Sequence, residues 1–207
     1  MIQPAETAVS ASWVTDGTAE ARFTVGGMVP KRYPAYARVF HPVSPDSWVD
    51  SAGAAGIAFT PTIQWDDIVR YSPDSRQLHS PRRGTLESAE SETLAEVLSA
   101  FTSSPDECWF GVWEGWGDAF PPPAAVKFRW LIRDLHLVKG AVVEAPLVSS
   151  RGATVWWPAD QSWFVATEVD YDSTIVAGSA AAIAAILSSR LCVVALDPLD
   201  TLTRDTP

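Results

Sequence analysis

The sequence predicts an α+β fold: a single domain with a mixed, largely antiparallel sheet and two or three packed helices. Several segments alternate apolar and polar residues with the period of two that a pleated strand requires. One segment places Leu94, Val97, Leu98 and Phe101 at i, i+3, i+4 and i+7, which puts them on one face of a helix. Strand-like and helix-like segments do not alternate strictly, so repeated βαβ units are not expected.

In chain order, residues 1–12 are polar and are expected to be loose. EARFTV (20–25) is a candidate first strand, and the stretch after it reads as loop because of Gly26, Gly27, Pro30 and Pro34. AYARVFH (35–41) is a clearer strand, with Tyr36, Arg38 and Phe40 on one face and Ala35, Ala37, Val39 and His41 on the other. A short helix is expected from about Asp46, with Trp48, Val49 and Ala52 on one side, and helical character returns around Trp65 and Ile68. Residues 72–85, rich in Ser, Pro and Arg, are expected to form a mobile loop. The helix over 87–101 has Ser88 available as a cap, with Glu90 and Glu92 near the positive end of its dipole.

CWFGVWEGWG (108–117) reads as a strand over 108–114. Cys108, Phe110 and Val112 take one face, and Trp109, Gly111 and Trp113 the other. Apolar on both sides, it belongs at the centre of a sheet covered on both faces. Gly115, Gly117 and the prolines at 121–123 end it. Residues 127–138 alternate well and are expected to form one strand with a one-residue bulge before Leu135. Residues 163–172 form another, with Trp163, Val165, Thr167, Val169 and Tyr171 opposite Phe164, Ala166, Glu168, Asp170 and Asp172. A helix over 179–189 presents Ile183, Ile186 and Leu187, residues 191–196 form a last, buried strand, and 199–207 are expected to fray.

Three stretches, YPAYARVFHP, CWFGVWEGWG and WWPADQSWFVATEVDYDST, together resemble a family of uncharacterised proteins of high-GC Gram-positive bacteria. The resemblance runs from about Tyr33 to Ser189 and brings no activity, cofactor or catalytic residue with it.

Lys plus Arg number 15 against 25 Asp plus Glu, a formal net charge of −10. That balance repels phosphate backbones and argues against nucleic acid; it favours a basic protein or a cationic ligand as partner. Cys108 and Cys192 lack metal-ligand spacing and lie in apolar strands, so both are expected to stay reduced and inert. Two such thiols suit a reducing cytoplasm. The first residues do not read as a secretory leader, and the apolar run AGSAAAIAAIL is too short for a membrane span.

Two groups of residues are candidates for chemistry. On a strand, Glu168, Asp170 and Asp172 would share a face and span about 13 Å. A divalent cation holds its oxygens at about 2.0–2.6 Å, so two of them could share an ion but three could not. A metal site would need Glu114 or Asp160 as well; a solvent-facing acidic edge is the simpler reading. Glu114, between Trp113 and Trp116, would have its pKa raised by apolar surroundings, as a general acid requires, although bonding to the following turn is the commoner use. His41, His79 and His136 have no zinc spacing, and neither a GxSxG elbow nor a phosphate loop occurs. Of the ten tryptophans, Trp109 and Trp113 are assigned to the core. Trp116 and one of the pair Trp156 and Trp157 are assigned to the surface. The expectation is a non-enzymatic binding module, free of metal and cofactor. Its recognition face is aromatic and acidic: Trp116, Glu114, Trp156, Glu168, Asp170 and Asp172. The alternative is a small hydrolase or metal-dependent enzyme using Glu114 with Glu168, Asp170 and Asp172.

Overall fold

The structure, a computed structural model, describes residues 1–17, 24–117 and 125–202. The first half of the chain holds β1 (Gln3–Pro4), α1 (Ser12–Gly17), α2 (Val25–Met28), β2 (Ala35–Phe40), α3 (Trp48–Ala54), α4 (Trp65–Tyr71) and α5 (Ser88–Ser99). Then come β3 (Cys108–Trp113), β4 (Lys127–Trp130), β5 (Arg133–Gly140), β6 (Val155–Pro158), β7 (Phe164–Ala166), β8 (Ser173–Gly178), α6 (Ala180–Leu187) and β9 (Val193–Leu196). The described strands form one nine-stranded sheet in the order β1-β5-β3-β6-β7-β8-β2-β9, with β4 paired to β5. Each pairing is antiparallel, and helices pack on the sheet, so the fold is α+β.

Both faces of the sheet are covered, which explains why its middle strands are apolar on both sides. One face, with Phe110, Trp156, Trp163, Val165 and Val176, packs under α5, α6 and the 142–147 segment. The other, with Trp157, Phe164, Leu137 and Ile175, packs under the N-terminal segment and the β4 side chains Phe128 and Trp130. β3 lies between β5 and β6, as its two apolar faces require. Gly111 is needed there, because a Cβ would come within 2.8 Å of Phe128 and Val155. A third cluster joins Phe40 to Trp48, Trp65 and Ile68 of α3 and α4.

Several expected elements take a different form. The strand expected over 163–172 ends at Ala166; the chain turns through 167–172 and returns as β8, buried at every position. The acidic residues sit in that turn because carboxylates fit a pleated, buried surface poorly. The strand expected over 127–138 is a hairpin, closed by the pairing of Trp130 with Arg133. Leu131, at φ 53°, and exposed Ile132 make its turn, so apolar residues stand where Asn or Gly would have announced it. β9 is an edge strand paired to β2 alone, and it is half-exposed rather than buried. Glu87, rather than Ser88, occupies the cap of α5, and it makes no side-chain cap bond. Val25, the last residue of the candidate first strand, and residues 26–28, expected as loop, form the helix α2, and residues 20–23 of that strand lie outside the described residues.

The segments expected to be loose or mobile carry backbone bonds to the rest of the chain. Gln3 and Pro4 pair with Lys139 and Val138. In the 72–85 segment His79 bridges Ser44, and the Gly84 N–H donates to the Tyr171 carbonyl at 2.8 Å. Thr201 bridges Thr24, while 203–207 lie outside the described residues. No described helix is long and apolar enough to cross a membrane.

Candidate functional site

β3 delivers Trp113 to the end of the sheet, and the chain then makes a 3-10 turn over Glu114–Trp116. Gly115 lets that turn close. A Cβ there would lie 2.2 Å from the Trp113 ring, so the indole can fold over the turn because residue 115 has no side chain. Trp116 meets Trp113 edge-on, with centroids 5.0 Å apart and planes at 78°. A guanidinium covers each ring: Arg133, the first residue of β5, is 4.8 Å from the Trp113 centroid, and Arg151 is 4.5 Å from that of Trp116. Arg133, Trp113, Trp116 and Arg151 thus form a ladder of alternating cationic and aromatic contacts. Each cation–ring contact contributes about 0.5–2 kcal/mol, depending on its exposure to water.

Cations hold the carboxylates around this ladder. The Nε of Arg133 donates to Oε1 of Glu168 at 2.6 Å, and an Nη donates to Oδ2 of Asp170 at 2.7 Å. The other Glu168 oxygen accepts the Asp170 backbone N–H at 2.6 Å, which fixes the turn. Glu114, expected in apolar surroundings, is instead exposed and paired with Lys127 at 2.5 Å. The expected acidic edge is therefore corrected to a charge-balanced one: Glu114, Glu168 and Asp170 stand against Lys127, Arg133 and Arg151.

Asp172 does not belong to this face. It lies in the interior, 3.1 Å from an Nη of Arg38, whose side chain is 1% exposed. Arg38 also donates to the Ser173 hydroxyl at 2.8 Å and to the Pro61 and Ile63 carbonyls at 2.9 and 2.7 Å, and it stacks on Phe40. Burial pushes the Asp172 carboxyl up and the Arg38 guanidinium down, and their mutual attraction opposes both shifts. His41 extends the buried polar network, with Nδ1 2.5 Å from the Arg82 carbonyl oxygen and Nε2 3.0 Å from the Thr174 hydroxyl. Burial pushes its pKa down to about 4.

The tryptophan assignments also change. Trp156 and Trp157 do point to opposite faces, but both faces are covered, so they are 2% and 1% exposed. Trp156 is a core residue and contributes nothing to a recognition surface. Trp109 and Trp113, expected in the core, are half-buried at its margin; Trp113 carries Arg133, and Lys139 lies over Trp109. Cys108 is fully buried, and burial pushes its thiol well up; Cys192 is half-buried and also pushed up.

Of the six residues expected at the site, the structure gathers Trp116, Glu114, Glu168 and Asp170 around Trp113 and excludes Trp156 and Asp172. Among the described residues no three His, Cys, Asp or Glu side chains are grouped so as to hold a metal ion. Sequence reasoning missed Lys127, Arg133 and Arg151. Arg133 is 35 residues from Glu168 and meets it at the end of the sheet, where β5 begins and β7 has just finished, so no local spacing announces the pair. No family model matches the chain, and no curated protein or solved structure matches it either.

Proposed function

We propose that the protein is a non-enzymatic binding module that holds a protein partner on the Arg133–Trp113–Trp116–Arg151 ladder. Trp116 carries this proposal: a large, half-buried ring on a turn, braced by an indole on one side and a guanidinium on the other. Trp and Arg dominate the energetic centres of interfaces, and a ring already fixed by its neighbours loses little freedom on binding. The formal charge of −10 supports a basic partner drawn in at long range, with the balanced ladder making the short-range contact. A small cationic ligand has less support, because the carboxylates beside the ladder are already paired. Two free cysteines favour a reducing cytoplasm as its location, and the charge disfavours nucleic acid.

The enzymatic alternative has weaker support. Glu114 pairs with Lys127, Glu168 and Asp170 share Arg133, and Asp172 pairs with Arg38, so these carboxylates do not share one centre. A pull-down from lysate with wild-type and Trp116→Ala baits, at low and high salt, tests the proposal. The expected result is a basic partner held at low salt by the wild type and lost with the variant. The counter-result is a divalent cation that raises the melting temperature of the parent chain but not of Asp170→Asn, which would favour a metal-dependent enzyme.

A further inference from the structure

A second site lies away from the ladder. A cavity of about 470 Å³ opens between the end of β2, α3, α5 and the chain leading into β9. That volume falls within the range of about 300–1,000 Å³ typical of small-molecule sites. Phe40 and Trp48 line its inner side, with ring centroids 4.7 Å apart and each residue 1% exposed. Val43 and Leu191 add apolar wall.

Three charged residues line the same cavity: Asp46 from the chain before α3, Glu90 from α5 and Arg190 from the turn after α6. The Arg190 Nε donates to the Thr93 hydroxyl at 2.9 Å, and that hydroxyl donates to the Ala89 carbonyl at 2.8 Å. Thr93 thereby positions the guanidinium and leaves its Nη groups without a protein partner among the described residues. Glu90 and Arg190 do not pair with each other, and neither joins any ion pair among the described residues. This contrasts with Glu114, Glu168, Asp170 and Asp172, each of which has a cation. Burial pushes the Glu90 carboxyl up, and the Arg190 charge is near enough to oppose that shift. The cavity therefore presents one cation and two carboxylates, Asp46 and Glu90, that join no ion pair among the described residues, above an apolar floor.

We propose that this cavity binds a small amphoteric molecule of the α-amino-acid class. Its carboxylate meets the Nη groups of Arg190, its ammonium meets Glu90, and its apolar side group lies against Val43, Leu191 and the Phe40–Trp48 floor. The ligand pairs Arg190 with Glu90 through its own two charges, Asp46 at the exposed rim adds to the attraction for the ammonium, and the apolar floor selects for a hydrophobic side group.

Calorimetric titration of the full chain tests this, using L-leucine and L-phenylalanine, their N-acetyl and amide derivatives, and glycine. The expected result is saturable binding of at least one of the two free hydrophobic amino acids. Each blocked derivative should bind at least about tenfold more weakly, because each removes one charge-assisted contact. Glycine should also bind more weakly. Arg190→Gln should abolish the advantage of the free amino acid over its amide, and Glu90→Gln its advantage over the N-acetyl form. Arg190 is exposed and Glu90 half-buried at the surface, so both variants should keep the parent melting temperature. Absence of binding by either amino acid at tens of millimolar would overturn the proposal, as would equal binding of free and blocked forms or binding indifferent to both variants.

Discussion

The Arg133 guanidinium lies 4.8 Å from the centre of the Trp113 ring while its edge holds the Glu168 carboxylate at 2.6 Å. One side chain thus anchors the aromatic ladder and neutralises a nearly buried acid. Arg133→Ala removes both functions and should destabilise the fold by about 2–4 kcal/mol, because Glu168 is left buried without its cation. Arg133→Lys keeps the charge but loses the flat, forked contact, and should cost about half as much. Urea denaturation measures both; equal losses for the two variants would contradict this account.

Gly115→Ala should displace Trp113, since the added methyl carbon would lie 2.2 Å from that ring. The expected outcome is a loss of about 1–3 kcal/mol, typical of overpacking. It should also weaken partner capture, the outcome expected of Trp116→Ala under the proposed function. Unchanged stability and capture would mean that the ring has room to move without consequence.

Asp170 and Asp172 should respond very unequally to the same substitution. The Asp170 side chain is 77% exposed, so Asp170→Asn should change stability by less than about 1 kcal/mol. Asp172→Asn leaves Arg38, 1% exposed, without its counter-charge and should cost about 3–5 kcal/mol. Similar values for the two would refute the placement of Asp172 in the interior.

His41 makes stability depend on pH. Its folded pKa of about 4 lies below the ordinary 6.5, so the unfolded chain takes up a proton that the native one refuses between those values. The contribution is therefore fully present above pH 6.5 and is lost as the pH falls towards 4. Its size is roughly 3 kcal/mol. Asp172, pushed up by burial, acts in the opposite sense at the acid end, so the His41 imidazole itself should be followed by NMR. Its ring signals should stay those of the neutral form at pH 6, and a midpoint near 6.5 would contradict the burial argument.

Trp163→Ala should cost about 3–5 kcal/mol, as expected for a large ring removed from a packed core. Trp163 is 0% exposed and donates its indole N–H to the Leu98 carbonyl at 3.1 Å. Trp116→Ala should cost markedly less, because the ring is half-exposed. Neither Cys108 nor Cys192 should label rapidly with a maleimide at neutral pH, since burial disfavours both thiolates.

By itself the sequence determined the α+β class, the position of β3 with its two apolar faces, and the helices around Leu94 and Ile183. Each follows from local periodicity: the residues that define an element lie within a few positions of one another, and their spacing fixes which face they share. Tertiary structure alone decided where the strands turn and which charges meet. The 131–132 turn carries Leu and Ile, and β8 is buried on both faces, so neither left an alternating pattern to read. Glu168 finds Arg133, Asp172 finds Arg38 and Glu114 finds Lys127 through the register of the sheet, over separations of 35, 134 and 13 residues. Periodicity reports a residue's face, but the partner that neutralises its charge is set by which strands are neighbours. For that reason the run of acids read from the sequence as one surface divides between a charge-balanced face and a buried ion pair.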